Sequence, residues 1–388
     1  MKRWSFVLVL LLAVPLLAQT PGDVATRVTI NSKILGEERT MWLRLPDGYG
    51  RTEARYPTLY LTDGDAQMLH TVSTVAFLER QGRIPAMIVV GVNNTDRTRD
   101  LTPSAAPMQR PDGTRVDLPN AGGAGNFLSF FENELIPWVE SNYRTQPFRI
   151  FFGHSFGGLF AVNALATKPD LFHGVIAASP SLQWDGDLAI RKTAGLFESR
   201  KSLPVTVHVT AGREADNLVS SVKRFETLAR RKAPKDFRIS TAYHDDEDHG
   251  SITLRTLYDG LRSIFADWQP PRDENGQMRV SLRQILDHYS ALSGRLGYSI
   301  LPPEAIVNQI GYQYLAAERF DEAIGAFRMN LENYPESANV YDSLGEAHER
   351  RGELDAARKL YALAVEKSEG KNDPNEAAFR ANLGRVSK

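Results

Sequence analysis

The chain has 388 residues, 46 basic and 47 acidic side chains for a net charge of −1, 42% hydrophobic residues and no cysteine. At roughly 150 residues per domain this length predicts two domains, or three, in an ordinary globular composition that excludes a mainly disordered or collagen-like chain. The even charge gives no field for a nucleic-acid partner, and the missing thiols exclude disulfides, thiolate metal sites and cysteine nucleophiles.

Residues 1–18 read as a signal peptide. Lys2 and Arg3 precede the apolar run SFVLVLLLAVPLL at 5–17, and Ala18 offers a small residue at a cleavage edge. The run is shorter than the ~20 residues of a comfortable membrane span. No cysteine follows it to carry a lipid. The expectation is a periplasmic or secreted protein with no stable membrane anchor after cleavage.

From 24 to 268, short apolar runs alternate with helical patterns. TRVTINS and TMWLRLPD, joined around Gly36, predict an antiparallel hairpin at a sheet edge. Strand-like runs follow at 58–64, 86–94, 148–155, 174–180, 205–212 and 237–245. Their nearly continuous apolar character fits strands buried on both faces of a parallel sheet. Helical patterns lie between them at 68–83, 126–142, 157–168, 217–232 and 251–267. The alternation predicts a doubly wound, mostly parallel α/β sheet. Segments 64–70, 93–126 and 181–200 read as specificity loops, with Gly122-Gly123-Ala124-Gly125 as a flexible entrance segment.

The chemistry concentrates in RIFFGHSFGGLFAVNAL. A strand runs into Gly153-His154-Ser155-Phe156-Gly157 and a helix follows, which is the G-x-S-x-G nucleophile elbow in its strand–turn–helix setting. Serine alone is a poor nucleophile and needs a histidine base oriented by an acid. In this fold the order is serine, acid, histidine. His249, after the last strand and before a helix, is the candidate base. His244 lies at the strand, and His208, inside a strand, reads as a core residue. Glu214 and Asp216 follow the strand VTVHVTAG; Glu214, nearer the strand end, is favoured as the acid, with Asp216 the alternative. Oxyanion donors are expected at the backbone amide of Phe156 and at that of Asp65, in the Asp63-Gly64-Asp65 turn after the first parallel strand. The acidic cluster His244, Asp245, Asp246, Asp248 and His249 lacks helical two-histidine spacing and reads as a solvated loop. No metal and no cofactor is expected.

WQPPRDENGQ (268–277) is proline-rich and marks a boundary, and an amphipathic helix is predicted over 280–294. The domain plan is therefore 24–268, a linker with one helix over 269–303, and an all-α module over 304–388. Within that module Gly311 and Gly345, Ala323 and Ala357, and Phe327 and Tyr361 are each 34 residues apart. This period resembles tetratricopeptide repeats, two units with a capping helix near 375–385. Such repeats hold a protein or peptide partner, form a second-subunit contact, or cover the mouth of the main domain's site.

SKILGEERTMWLRLPDGY, LYLTDGDAQ, TRDLTPS, FGHSFGGLFA, AASPSLQWD and DEDHGS, in this order, resemble the esterase D family of α/β-hydrolases, which includes enterobactin and salmochelin hydrolases. The resemblance implies a serine esterase acting on carboxylic esters or thioesters, and TRDLTPS places it nearest the siderophore-esterase branch. It also implies an arginine at Arg97 or Arg99 meeting an anionic group of a small ester substrate; the alternative is a surface arginine paired with Asp96 or Asp100. Two rival functions remain: acyl transfer on the same fold, and a non-catalytic hydrolase-fold binding protein acting through its repeats.

Overall fold

The computed structural model describes residues 24–51, 53–109, 114–272, 281–371 and 373–387, and the leader expected at 1–18 lies outside them. The chain divides into two units, Met1–Ala266 and Asp267–Lys388. Among the described residues no helix is long and apolar enough to cross a membrane.

The first unit is built on one eight-stranded sheet. Its strands are β1 (Thr26–Ser32), β2 (Glu37–Arg44), β3 (Tyr56–Leu61), β4 (Ile88–Val92), β5 (Thr145–His154), β6 (Gly174–Ala178), β7 (Thr206–Gly212) and β8 (Arg238–His244). They pair in the order β1-β2-β4-β3-β5-β6-β7-β8. β1–β2 and β2–β4 are antiparallel, and every later pairing is parallel. β3, β4, β6 and β7 are buried at every position, which is why their sequences read as nearly continuous apolar runs. β8 departs from the expectation of burial on both faces. It closes the sheet, and only His244 in it is buried.

The helices of this unit are α1 (Gly64–Arg80), α2 (Arg97–Leu101), α3 (Ala124–Phe130), α4 (Ile136–Asn142), α5 (Phe156–Thr167), α6 (Trp184–Ser199), α7 (Asp216–Lys232) and α8 (Ile252–Ile264). α3 to α7 join the core that holds Val175, Ala177, Val207 and Val209. The alternate residues of the same strands face α8, where Thr210 and Thr256 share a hydrogen bond of 2.6 Å. Helices therefore cover both faces, as in a doubly wound α/β fold. α3 runs into α4 through a π-helical turn, Phe131–Leu135. On that turn Glu134 accepts the Lys33 and Ile34 amides and the Ser32 hydroxyl, fastening the first hairpin to the core.

Three loop expectations need correction. Segment 64–70 is the start of α1, with Gly64 and Met68 buried. Segment 181–200 is mostly helix: α6 buries Ala189, Ile190, Thr193, Leu196 and Phe197 at helical spacing. Gly122-Gly123 is not a free entrance segment, since the Gly123 amide donates to the Arg99 carbonyl at 2.9 Å and the next residue opens α3.

In the second unit, α9 (Leu282–Leu296) opens on a capping box between Ser281 and Gln284. Helical hairpins follow: α10 (Glu304–Ala316) with α11 (Phe320–Asn333), then α12 (Ala338–Arg350) with α13 (Leu354–Ser368), and finally α14 (Glu376–Val386). The 34-residue period is physical. A Cβ on Gly311 would stand 2.4 Å from the Phe327 ring, and one on Gly345 would stand 2.9 Å from the Tyr361 ring. In each hairpin a glycine admits an aromatic ring from the facing helix.

His208 is a core residue, its Nδ1 2.6 Å from the Ser240 hydroxyl, and burial pushes its imidazole down to about 4. A histidine held below its unfolded value of about 6.5 stabilises the fold above that pH, and the contribution is lost as pH falls toward 4. Denaturant titrations at pH 7 and pH 4.5 should therefore show a smaller acid loss in His208→Asn than in the parent, by up to roughly 3 kcal/mol. Equal losses would remove His208 as a source of acid sensitivity.

Candidate active site

Strand register sets the site. His154 pairs with Ala178, Ala178 with Thr210, and Gly212 with His244, so four strands end together. Ser155 follows β5, Glu214 follows β7 and His249 follows β8.

Ser155 turns the chain from β5 into α5 with φ 58 and ψ −114, a backbone that side chains rarely adopt. The neighbouring glycines are a steric requirement. A Cβ on Gly153 would stand 2.2 Å from the Gly157 carbonyl oxygen, and one on Gly157 would stand 2.4 Å from the Thr62 hydroxyl. The same contact shows that the turn after β3 rests directly on the elbow.

His249 Nε2 lies 3.0 Å from Ser155 Oγ, and its Nδ1 lies 2.7 Å from Glu214 Oε2. A carboxylate only accepts, so Nδ1 carries the hydrogen and Nε2 is left to accept from the serine. The other Glu214 oxygen accepts the Gly212 amide at 3.0 Å and the Ser179 hydroxyl. Burial pushes the Glu214 carboxyl up, but its hydrogen bonds from His249, Ser179 and Gly212 outweigh that and hold it below the usual carboxylate range. Glu214 therefore stays charged beside a histidine that is to receive a proton. Its side chain is only 4% exposed, whereas that of His249 is 45% exposed. Asp216 opens α7 and is exposed, where an acid suits a helix N-terminus.

Phe156 is the first residue of α5, and an amide there has no intrahelical acceptor. Asp65 is exposed in the first turn of α1. Between them Asp63, buried and left-handed at φ 57, takes the Arg97 guanidinium at 2.6 and 3.1 Å and the Asn94 amide at 2.7 Å.

Arg99 of TRDLTPS and Arg97 just before it part ways. Arg99 bonds Asp100 at 2.7 Å and Glu37 at 2.6 Å, so its charge serves a structural network. It does not line the cleft beside Ser155; Arg97 does. That cleft has a volume of about 910 Å³ and is also lined by Phe156, Trp184, Arg115 and Arg224. Phe156 and Trp184 meet edge to face at 5.3 Å, and the Trp184 indole donates to Ser104 at 3.0 Å. Arg224 is held by Asp187 at 2.6 and 2.8 Å.

Ser179, Ser181 and His154, like Arg115 and Arg224, were not singled out by the sequence. Ser179, with φ 40, binds Glu214. Ser181 Oγ lies 3.5 Å from Ser155 Oγ. Both sit in AASPSLQWD, after the strand next to the elbow, and that position was the available signal. His154, flanking the nucleophile, reaches the backbone of His249. In the acidic loop, Asp248 accepts the Gly250 and Ser251 amides at 2.9 and 2.8 Å and so shapes the turn that carries His249. Among the described residues no group of three or more metal-ligating side chains is placed to hold a metal.

Residues 32–251 match the sequence model of a family described as "Putative esterase". The Ferri-bacillibactin esterase BesA of Bacillus subtilis is 35% identical over 175 residues, 41% of this chain and 60% of its own length. The chain thus spans three fifths of that relative. A siderophore enterobactin esterase of Emericella nidulans is 30% identical over 269 residues, 57% of this chain and 84% of its own. The crystal structure of an IroE-like serine hydrolase from Shewanella oneidensis superposes with a TM-score of 0.67 at 29% identity, over 79% of this chain and 99% of its own. With its sheet order, its serine elbow and these matches, the chain belongs to that family of ester-hydrolysing enzymes on an α/β-hydrolase fold.

Proposed function

We propose that the protein is an exported serine esterase that opens siderophore-type or related aryl and acyl esters through a Ser155–His249–Glu214 triad and an acyl-enzyme. The observation that carries this reading is the unbroken hydrogen-bond chain from Ser155 through His249 to a charged, buried Glu214. Ser155 Oγ attacks the ester carbonyl as its proton passes to His249 Nε2. The Phe156 and Asp65 amides take the oxyanion. The C–O bond breaks, the alcohol leaves with the proton from His249, and an acyl group stays on Ser155. Water then attacks the acyl carbon, giving its proton to His249. Ser155 recovers a proton as the carboxylic acid departs.

The substrate class rests on the names of the relatives and on the cleft, where Phe156, Trp184 and three arginines suit an aromatic, anionic ester. The hairpins of the second unit are read as two tetratricopeptide-like repeats that hold a protein or peptide partner, and residues 1–18 as the export signal. A fluorophosphonate probe should label Ser155, found by peptide mass spectrometry, and Ser155→Ala should not be labelled. A folded parent that takes no label is a binding protein and ends the reading. A panel running from short acyl chains to feruloyl and catecholate esters then assigns the substrate.

A further inference from the structure

His154 lies inside the elbow, yet its ring faces the base. Its Nε2 is 2.6 Å from the backbone carbonyl oxygen of His249. A carbonyl only accepts, so this nitrogen carries a hydrogen and donates it. The two rings lie 4.7 Å apart. The carbonyl of His154 accepts from Arg97 Nη2 at 3.1 Å, and the same guanidinium grips Asp63 in the turn after β3. Its carbon stands 5.7 Å from the centre of the Phe156 ring. One chain of contacts thus links the turn before Asp65, the elbow and the loop that carries His249.

We propose that His154 is a positioning residue that sets His249 against Ser155 through its main chain, and that Arg97, anchored on Asp63, holds His154 in place. The proposal rests on the esterase reading above. His249 needs such a brace. It is nearly half exposed, sits in a loop and must keep two hydrogen bonds at once. Asp248 shapes its turn from within the loop, whereas His154 is the contact from the nucleophile's own strand.

Charge supports the assignment. Burial, and then the proximity of His249, push the His154 imidazole down to about 4. The other charges around it are Asp63, which favours its protonated form, and Arg97, which opposes it. His154 therefore stays neutral at working pH. When His249 takes the serine proton, it meets no second positive ring at 4.7 Å. A cation at 154 would oppose that step by like-charge repulsion.

The test compares His154→Phe, which fills the space without donating, with His154→Gln, which restores a donor near the same place. Misplacing a base by an ångström costs about 100-fold. We expect His154→Phe to lower kcat by about 10- to 100-fold with KM moved less than about threefold, and fluorophosphonate labelling of Ser155 to slow in parallel. His154→Gln should recover most of both rates. Arg97→Gln should slow labelling in the same direction. Parent-like kcat and labelling in His154→Phe overturn the proposal, and so does a His154→Gln no faster than His154→Phe. If His154→Phe does not fold, parent-like labelling in Arg97→Gln overturns it. The esterase reading fails separately, when Ser155→Ala keeps its turnover.

Discussion

Ser155→Ala is expected to lower kcat for a p-nitrophenyl ester by about 10⁴- to 10⁶-fold, with KM within a few-fold of the parent. The size follows from what is removed. Without the hydroxyl no acyl-enzyme forms, and only the oxyanion donors and substrate binding continue to favour hydrolysis by water. Stability should barely change, because alanine meets the same backbone demand at φ 58 that serine does. His249→Ala should cost about as much, and the Ser155→Ala/His249→Ala double variant little more, since groups that act as one unit are not additive. Glu214→Gln should cost up to about 10⁴-fold, because an amide can satisfy the wrong imidazole tautomer. Asp216→Asn should stay near the parent, as Asp216 only opens α7. Steady-state rates for these five proteins suffice. Ser155→Ala within tenfold of the parent sinks the mechanism, and a larger loss in Asp216→Asn than in Glu214→Gln reassigns the acid.

The parts of this site that were legible in the sequence are those where geometry forces composition. The strands β3, β4, β6 and β7 are buried throughout, so they are mostly apolar, and buried polar members such as His208 and Thr210 carry hydrogen bonds. The elbow must carry glycines because a Cβ at Gly153 or Gly157 would meet neighbouring atoms within 2.4 Å. Illegible parts depend on direction instead. Arg97 and Arg99 lie two positions apart on a single helical turn, and residues so spaced face opposite ways. One reaches Asp63 and the elbow, the other Glu37 and Asp100. RTRDLTPS (97–104) contains both arginines and cannot say which one faces the cleft. The start of α6 hides for another reason. Asp185, Gly186 and Asp187 all have positive φ, so WDGD reads as a turn and masks the helix behind it. Glu214 and Asp216 could be ranked by distance from the strand end. The donors that hold Glu214 come from the ends of β6 and β7 and from the loop after β8, however, and such partners are seen only once the strands lie side by side.

Asp100→Ala is expected to be the most damaging single change to stability outside the elbow. Arg39 on β2 is 1% exposed, and Asp100 holds its Nη2 at 2.5 Å. Its remaining ionic partner is Glu37 at 2.9 Å, and the Phe127 ring lies 4.8 Å from the guanidinium carbon. Removing Asp100 leaves a buried cation half compensated, which costs about 3–5 kcal/mol. In a unit of this size that lowers Tm by roughly 10 °C. Arg99→Ala should cost far less, about 1 kcal/mol, because Arg99 is 34% exposed and water can replace it. Its KM should be unchanged, since its guanidinium serves Glu37 and Asp100. Replacing both buried partners together, as Arg39→Met/Asp100→Leu, should recover most of the loss, because no charge is then left unpaired. The effect should also reach catalysis. Asp100 lies on the same short helix as Arg97, so loosening α2 frees the guanidinium that holds Asp63 and the elbow. Asp100→Ala, assayed well below its Tm, should therefore lose turnover more than KM. A tenfold rise in KM for Arg99→Ala would return that arginine to the substrate and remove it from the brace between α2 and β2.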